Sequence, residues 1–197
     1  MPPKKSTTGP TRMKMTSTEQ PPPITQDINH CRYVHEDGKL CKNKLGPANS
    51  WFCRRHNDEV LNVVVKKSQI NKGGLGLYAG SKGFKKGERI ARYGWDHMVV
   101  GEKELEDKCE RTTKTSKQYK DCFGWYTLCN AVKCWDGRDK SSTTARFAND
   151  CHGTGKKCNA HFQMINKIPW IVATKAIKAG EEVFCNYGPG YWSAAGH

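Results

Sequence analysis

Short runs of Val, Ile and Tyr set between Gly- and Lys-rich turns supply most of the apolar positions after residue 58. "EVLNVVVKKSQI", residues 59–70, and "IARYGW", residues 90–95, read as β-strands from their β-branched and aromatic content. "IPWIVATKAI", residues 168–177, and "EEVFCNYG", residues 181–188, return to the same pattern. Between these two groups, "GEKELEDKCERTTKTSKQYK", residues 101–120, is so highly charged that it reads as a surface helix or an insertion. Many short strands with little helix predict a mainly β fold of small sheets rather than a doubly wound α/β domain.

Two stretches fall outside that pattern. Residues 1–28 are rich in Pro, Ser, Thr and Lys with almost nothing to bury, which predicts a disordered basic tail. Residues 29–58 gain Cys, His, Tyr33, Trp51 and Phe52 and read as a miniature module. In it, Cys31, Cys41, Cys53 and His56 are separated by nine, eleven and two residues, and the closing "CRRH" puts a thiolate and an imidazole one turn apart. Three thiolates and an imidazole are the donors of a closed structural zinc site, and in so short a segment the metal's binding free energy is the folding free energy. His30 and His35 flank Cys31 and can each stand in for one of the four ligands.

Charge and cysteine content narrow the setting. The chain of 197 residues carries 33 Lys and Arg against 19 Asp and Glu, a formal charge of +14, which favours a polyanionic partner or a site among basic proteins. Residues 61–100 hold eight basic and two acidic residues, whereas residues 101–150 hold ten and nine, so the first block is the more cationic face. That face is either a solvated basic surface or a contact for nucleosomal DNA. The absence of an 18-residue apolar run and of a hydrophobic signal core predicts a chain that neither crosses a membrane nor is secreted. The ten Cys are accordingly expected as intracellular thiols or metal ligands, with no disulfide framework, and "PPKK" near the start is a weak nuclear address.

"RFANDCHGTGKKCNAHF", residues 146–162, is too polar for a core strand and too sparsely apolar for an amphipathic helix. Read with two distant segments it acquires a meaning. "GGLGLYA" (Gly73 to Ala79), "TARFANDC" (Thr144 to Cys151) and "AGEEVFCNYGPGYW" (Ala179 to Trp192) together resemble the SET domain of protein-lysine methyltransferases over residues 62–192. The resemblance implies small β-sheets, S-adenosylmethionine as cofactor, and a C-terminal pseudoknot that brings Tyr187 against Asn149. It also implies cofactor contacts from Gly74, Leu75, Gly76, Arg146, Asn149, Asp150, Tyr187 and Trp192, with Tyr187 as the catalytic residue. Arg146 has an equal alternative, pinning the pseudoknot through carbonyls. Tyr126 and Cys185 are the candidates for the substrate channel; the small Cys185, where relatives often carry Phe or Tyr, leaves room for di- or trimethylation.

The chain also departs from the family pattern. Asp150 and Cys151 replace the usual His and Ser, "HGTGKKC" lengthens the link before Asn159, and no Cys follows Cys185, so Tyr191 and Trp192 are left to close the site. Glu181 and Glu182 are expected to be solvated residues of a turn. Cys109, Cys122, Cys129, Cys134, Cys151, Cys158 and Cys185 lack a paired CxxC and are expected as buried free thiols.

Methyl transfer to lysine needs an aligned, neutral amine. Deprotonating a free lysine at pH 7 costs ~4 to 5 kcal/mol, which a narrow apolar channel offsets by disfavouring the charged form. The leading expectation is therefore a methyltransferase acting on a basic protein tail, a histone above all, in the nucleus or also in the cytoplasm. The competing one is a SET-like adaptor for chromatin or nucleic acid that has lost turnover through its departures from the family pattern.

Overall fold

The computed structural model describes residues 29–46, 51–70, 74–94, 99–101, 127–129, 133–137 and 143–189. The tail at 1–28, almost all of the charged stretch at 101–120, Cys109, Cys122, Tyr126, Tyr191 and Trp192 lie outside the described residues.

Among the described residues, nine short strands make three sheets. β1 (Val63–Lys67) pairs antiparallel with β2 (Leu75–Ala79). β3 (Arg89–Arg92), β7 (Ala160–Ile165), β8 (Ile168–Ala173) and β9 (Cys185–Asn186) form a second sheet in the order β3-β8-β7-β9. β4 (Val99–Val100), β5 (Thr127–Cys129) and β6 (Cys134–Asp136) form the third. The first helical turn, α1 (Arg54–His56), runs into a π-helical turn at Asn57–Leu61, and a 3-10 turn at Thr144–Phe147 begins on Thr143, whose hydroxyl accepts from the Ala145 N–H at 3.2 Å. Among the described residues, no helix is long and apolar enough to cross a membrane.

The strand pattern follows the chemistry of the side chains. In β1, Val63 and Val65 are buried and the two lysines exposed, as period-two alternation requires of a half-covered strand. β8 is buried along nearly its whole length, whereas β7, equally inside the sheet, is exposed or half-buried after Ala160. One continuous core joins Leu77, Ile90, Ile171, Ile177 and Val183 to Cys31, Cys41, Trp51, Phe52 and Cys53 of the N-terminal segment. A hinge-free junction reinforces this. Asn62, in the left-handed region at φ 54°, accepts the Gly80 N–H at 2.7 Å and donates its amide to the Gly83 carbonyl at 2.8 Å, while Asp58 accepts the Ser81 N–H at 2.7 Å. Gly80 has to be glycine: a Cβ there would overlap the Asp58 carboxylate.

The last described segment decides the topology. Val183 donates its N–H to Leu77 of β2, Cys185 donates to the Asn149 carbonyl, and the Phe184 carbonyl accepts from Asn159 and Ala160. β9 then runs parallel to β7, Ala160 opposite Cys185. Residues 181–187 are thus held by β2, the 148–150 loop and the start of β7 together, as the expected C-terminal pseudoknot requires.

The cysteines require a correction. Cys129 is bonded to Cys134 and Cys151 to Cys158, so these four are not the free thiols expected from their spacing. The first pair sits directly opposite in the β5–β6 register, and the second closes the inserted loop, where Gly153 and Gly155 take positive φ and let the chain turn back on itself. CxxC spacing is no test for cross-strand or loop-closing pairs. Cys185 is free and buried, as expected.

Candidate active site

Tyr187 is gripped at both ends by the loop it passes. Its hydroxyl donates to the Ala148 carbonyl at 2.6 Å, and its backbone N–H is accepted by Asp150 Oδ2 at 2.9 Å. The other carboxylate oxygen of Asp150 accepts the His152 N–H at 2.7 Å. Asp150 is therefore buried between two backbone donors, and its charge is directed at the Tyr187 strand and the inserted loop. Phe162 lies 5.9 Å from the Tyr187 ring, and Tyr93 meets Phe162 edge-on at 5.3 Å. These two aromatics, missed in the sequence, line the phenol's side; their neighbours in β3 and β7 carry no mark that separates them from ordinary core.

Glu182 overturns the expectation of a solvated turn residue. Its carboxylate is buried and receives the Ser68 hydroxyl at 2.6 Å, the Gln69 N–H at 2.7 Å and the Asn149 side-chain amide at 3.3 Å, with the Tyr78 hydroxyl at 3.0 Å. Burial and the adjacent carboxylate together push the Tyr78 hydroxyl up to about 12. The same carboxylate explains Gly76, because a Cβ at that position would collide with Glu182 Oε1. Asn149 also donates to the Leu75 carbonyl at 3.0 Å, so one carboxylate and one amide tie the Gly74–Gly76 segment to the tail. Glu181, by contrast, caps its own turn by accepting the Lys178 N–H at 3.0 Å.

The remaining expected residues separate. Among the described residues, Gly74, with φ 62° and open space where a Cβ would stand, and Leu75, 38 % exposed, leave the end of β2 uncovered. An open backbone edge beside an exposed apolar side chain fits a ligand with both polar and apolar parts, as S-adenosylmethionine has. Arg146 donates to the Gly137 carbonyl, just after β6, at 3.2 Å and lies over the Phe147 ring at 4.7 Å. Cys185 is wholly enclosed; burial, and after it the Asp150 charge, raises its thiol well above the usual cysteine range. Trp192 and Tyr126 lie outside the described residues.

A second cluster stands in the N-terminal segment. Cys31, Cys41, Cys53 and His56 are all buried, with one donor atom of each within 4.8 Å of the others. His56 Nδ1 is 3.2 Å from Cys31 Sγ and 3.4 Å from Cys53 Sγ, against an S···N edge of ~3.5 Å for a tetrahedral zinc site. The donor set and the distances fit zinc, held through Nδ1. Burial lowers the His56 pKa, keeping the imidazole neutral as a ligand must be. Tyr33 stacks on the imidazole at 3.8 Å and the Asn43 amide donates to Cys53 Sγ at 3.6 Å, an outer layer that orients the donors. His30 and His35 are not members of the cluster.

A family model described as SET domain matches residues 74–188. Among solved structures, the chain is similar to the polycomb repressive complex 2 of Chaetomium thermophilum, at 25% identity over 66% of this chain and 15% of that one, with a TM-score of 0.48. A second similar structure is the methyltransferase domain of human PR domain-containing protein 2, at 20% identity over 65% and 78% of the two chains, TM-score 0.44. A third is ctPRC2 bound to S-adenosylmethionine in an autoinhibited conformation, at 24% identity over 66% and 15%, TM-score 0.48. The chain thus spans about 15% of the polycomb chains it resembles. No curated protein matches.

Proposed function

The chain belongs to the SET-domain family, whose members are protein-lysine methyltransferases, and from that premise we propose that it methylates a lysine of a histone tail. S-adenosylmethionine would supply the methyl group from its sulfonium: the lysine ammonium would first lose a proton to solvent, and C–N bond formation by the neutral amine would break the C–S bond, leaving a methylammonium and a neutral thioether. The observation that carries the proposal is the double grip on Tyr187 by Ala148 and Asp150.

Each residue's part follows from its contacts. Because the Tyr187 hydroxyl commits its hydrogen to Ala148, its lone pairs are left to accept, which suits weak CH···O contacts to a polarised methyl and a hydrogen bond from the incoming amine. The Ala148 carbonyl lies at the same point. Tyr187, Phe162 and Tyr93 provide an apolar wall that disfavours an ammonium and so favours the neutral nucleophile. Gly74, Leu75, Gly76 and Asn149 would hold the cofactor, with Trp192 closing over it, and Glu182 fixes the geometry of the first four. Asp150 holds the Tyr187 backbone, and Arg146 holds the loop. Positioning of this kind is the main source of acceleration for an in-line displacement.

In this reading residues 1–28 are a basic recruiting tail, residues 29–58 a module closed by structural zinc on Cys31, Cys41, Cys53 and His56, and residues 62–192 the catalytic domain. The working place is chromatin in the nucleus. Incubation with radiolabelled cofactor and, separately, core histones, nucleosomes and total cell protein tests it. Wild type should label histone, and Tyr187→Phe should lose roughly 10²-fold or more of the rate. Equal labelling by the two proteins would remove Tyr187 from the mechanism, and labelling of non-histone protein alone would move the substrate out of chromatin.

A further inference from the structure

A cluster of exposed cations stands beside β3, at the opposite edge of the four-stranded sheet from β9. Phe84 and Ile177 pair in an antiparallel bridge, each donating its N–H to the other's carbonyl at 2.8 Å, which lays residues 82–86 alongside residues 175–178. Lys82, Lys85, Lys86, Lys175 and Lys178 are all exposed on these two segments, and Arg89 follows at the start of β3. A cleft of about 600 Å³ opens there, lined among others by Asn62, Lys82, Lys85 and Arg89 and floored by Phe84 and Ile177.

Six cations in so small an area repel one another, and such crowding is ordinarily relieved by acids. Here the nearby acids serve the backbone. Glu88 accepts the Lys85 N–H at 2.7 Å, Glu181 the Lys178 N–H at 3.0 Å and Asp58 the Ser81 N–H at 2.7 Å. None of the six cations forms an ion pair with another described residue. Arg89 lies over the Trp170 ring at 5.4 Å, which fixes its direction without neutralising it. Glu88 also lines the cleft, and against these three carboxylates the six cations leave an excess of three positive charges for an outside anion.

We propose that this face binds the phosphate backbone of duplex DNA, deepening the chromatin reading above and resting on it. Duplex DNA carries one negative charge per about 1.7 Å of axis, the dense anionic surface that an exposed cationic excess of this kind complements. The placement also suits a nucleosome. β3 and β9 are opposite edges of the four-stranded sheet, three strand spacings or about 14 Å apart, so the cations and Tyr187 stand at different edges.

The test is duplex binding by the full chain, read as fluorescence anisotropy of a labelled duplex between about 50 and 200 mM salt. It needs no cofactor and no turnover, so it stands even if methyl transfer is not found. Lys82→Glu/Lys85→Glu/Lys178→Glu should weaken binding by at least about tenfold and flatten the log–log salt slope by about 3. The matched charge reversals Lys42→Glu/Lys44→Glu/Lys167→Glu, at exposed positions elsewhere, should flatten it by less than about 1. Should the first set fail to fold, the corresponding Gln triple decides, with the same ranking expected. Equal weakening by both sets, or none by the first, overturns the proposal. So does competition by polyglutamate as effective as that of duplex at equal charge, which would assign the face to an acidic protein.

Discussion

Replacing Glu182 with Gln changes no volume and yet should unsettle the junction of three distant segments. Oε1 receives Ser68 and Asn149, and Oε2 receives Gln69 with Tyr78 nearby. An amide has one accepting end, so whichever way it is placed its NH₂ faces either Asn149 Nδ2 or the Gln69 N–H. Ser68 and Tyr78 can rotate their hydroxyls to accept instead. The Gln69 N–H cannot, and Asn149 can flip only by abandoning the Leu75 carbonyl. One N–H left facing a donor costs about 1–3 kcal/mol, and turning charge-assisted bonds into neutral ones adds about 1 kcal/mol. A total near 3 kcal/mol corresponds to a fall in Tm of roughly 6–12 °C for a chain of this size. Thermal melts followed by circular dichroism, with Ser68→Ala as the milder comparison, measure it. Cofactor titration of the same variant should show weakened binding, since Asn149 and Leu75 lose their tether. A Glu182→Gln protein that melts within about 1 °C of wild type would refute the claim that this carboxylate organises the site.

Other outcomes follow from the same geometry. Treatment with a strong chelator, or His56→Ala, should lower Tm and loosen the core around Leu77 as well as the N-terminal segment, because Cys31, Trp51 and Phe52 share that core; hydrogen exchange at β2 reports it. Cys185→Phe should restrict the product to monomethyl-lysine and lower stability by about 1–3 kcal/mol through overpacking, while wild type proceeds to di- or trimethyl product. Mass spectra of long incubations that show only monomethyl-lysine with wild type would contradict the room for further methyl groups expected from the small Cys185. Tyr78 is held neutral in the fold and ionises only near pH 12, against 10 for a free tyrosine. Its folded pKa is raised, so its contribution is complete below pH 10 and is lost as pH climbs to about 12. Alkaline unfolding of wild type should steepen across that window, and Tyr78→Phe should remove the steepening.

Much of this protein is legible in one dimension. Val63 and Val65 announce an inward face by alternation, and Cys31, Cys41, Cys53 and His56 declare by donor chemistry a cluster that the fold does assemble. The three motifs identify the family because their order and residue types are rarely met together. Partnership was decided elsewhere. Glu181 and Glu182 are adjacent and identical, yet one caps a turn while the other is buried against Ser68, 114 positions away, and only the crossing of the tail over β2 separates them. Asp150 holds Tyr187 across 37 positions, Gly76 is small because a distant carboxylate fills its space, and Cys129 and Cys151 find partners by register and loop closure. Local pattern encodes which face of a segment avoids water; which group meets it there depends on packing contributed by the whole chain.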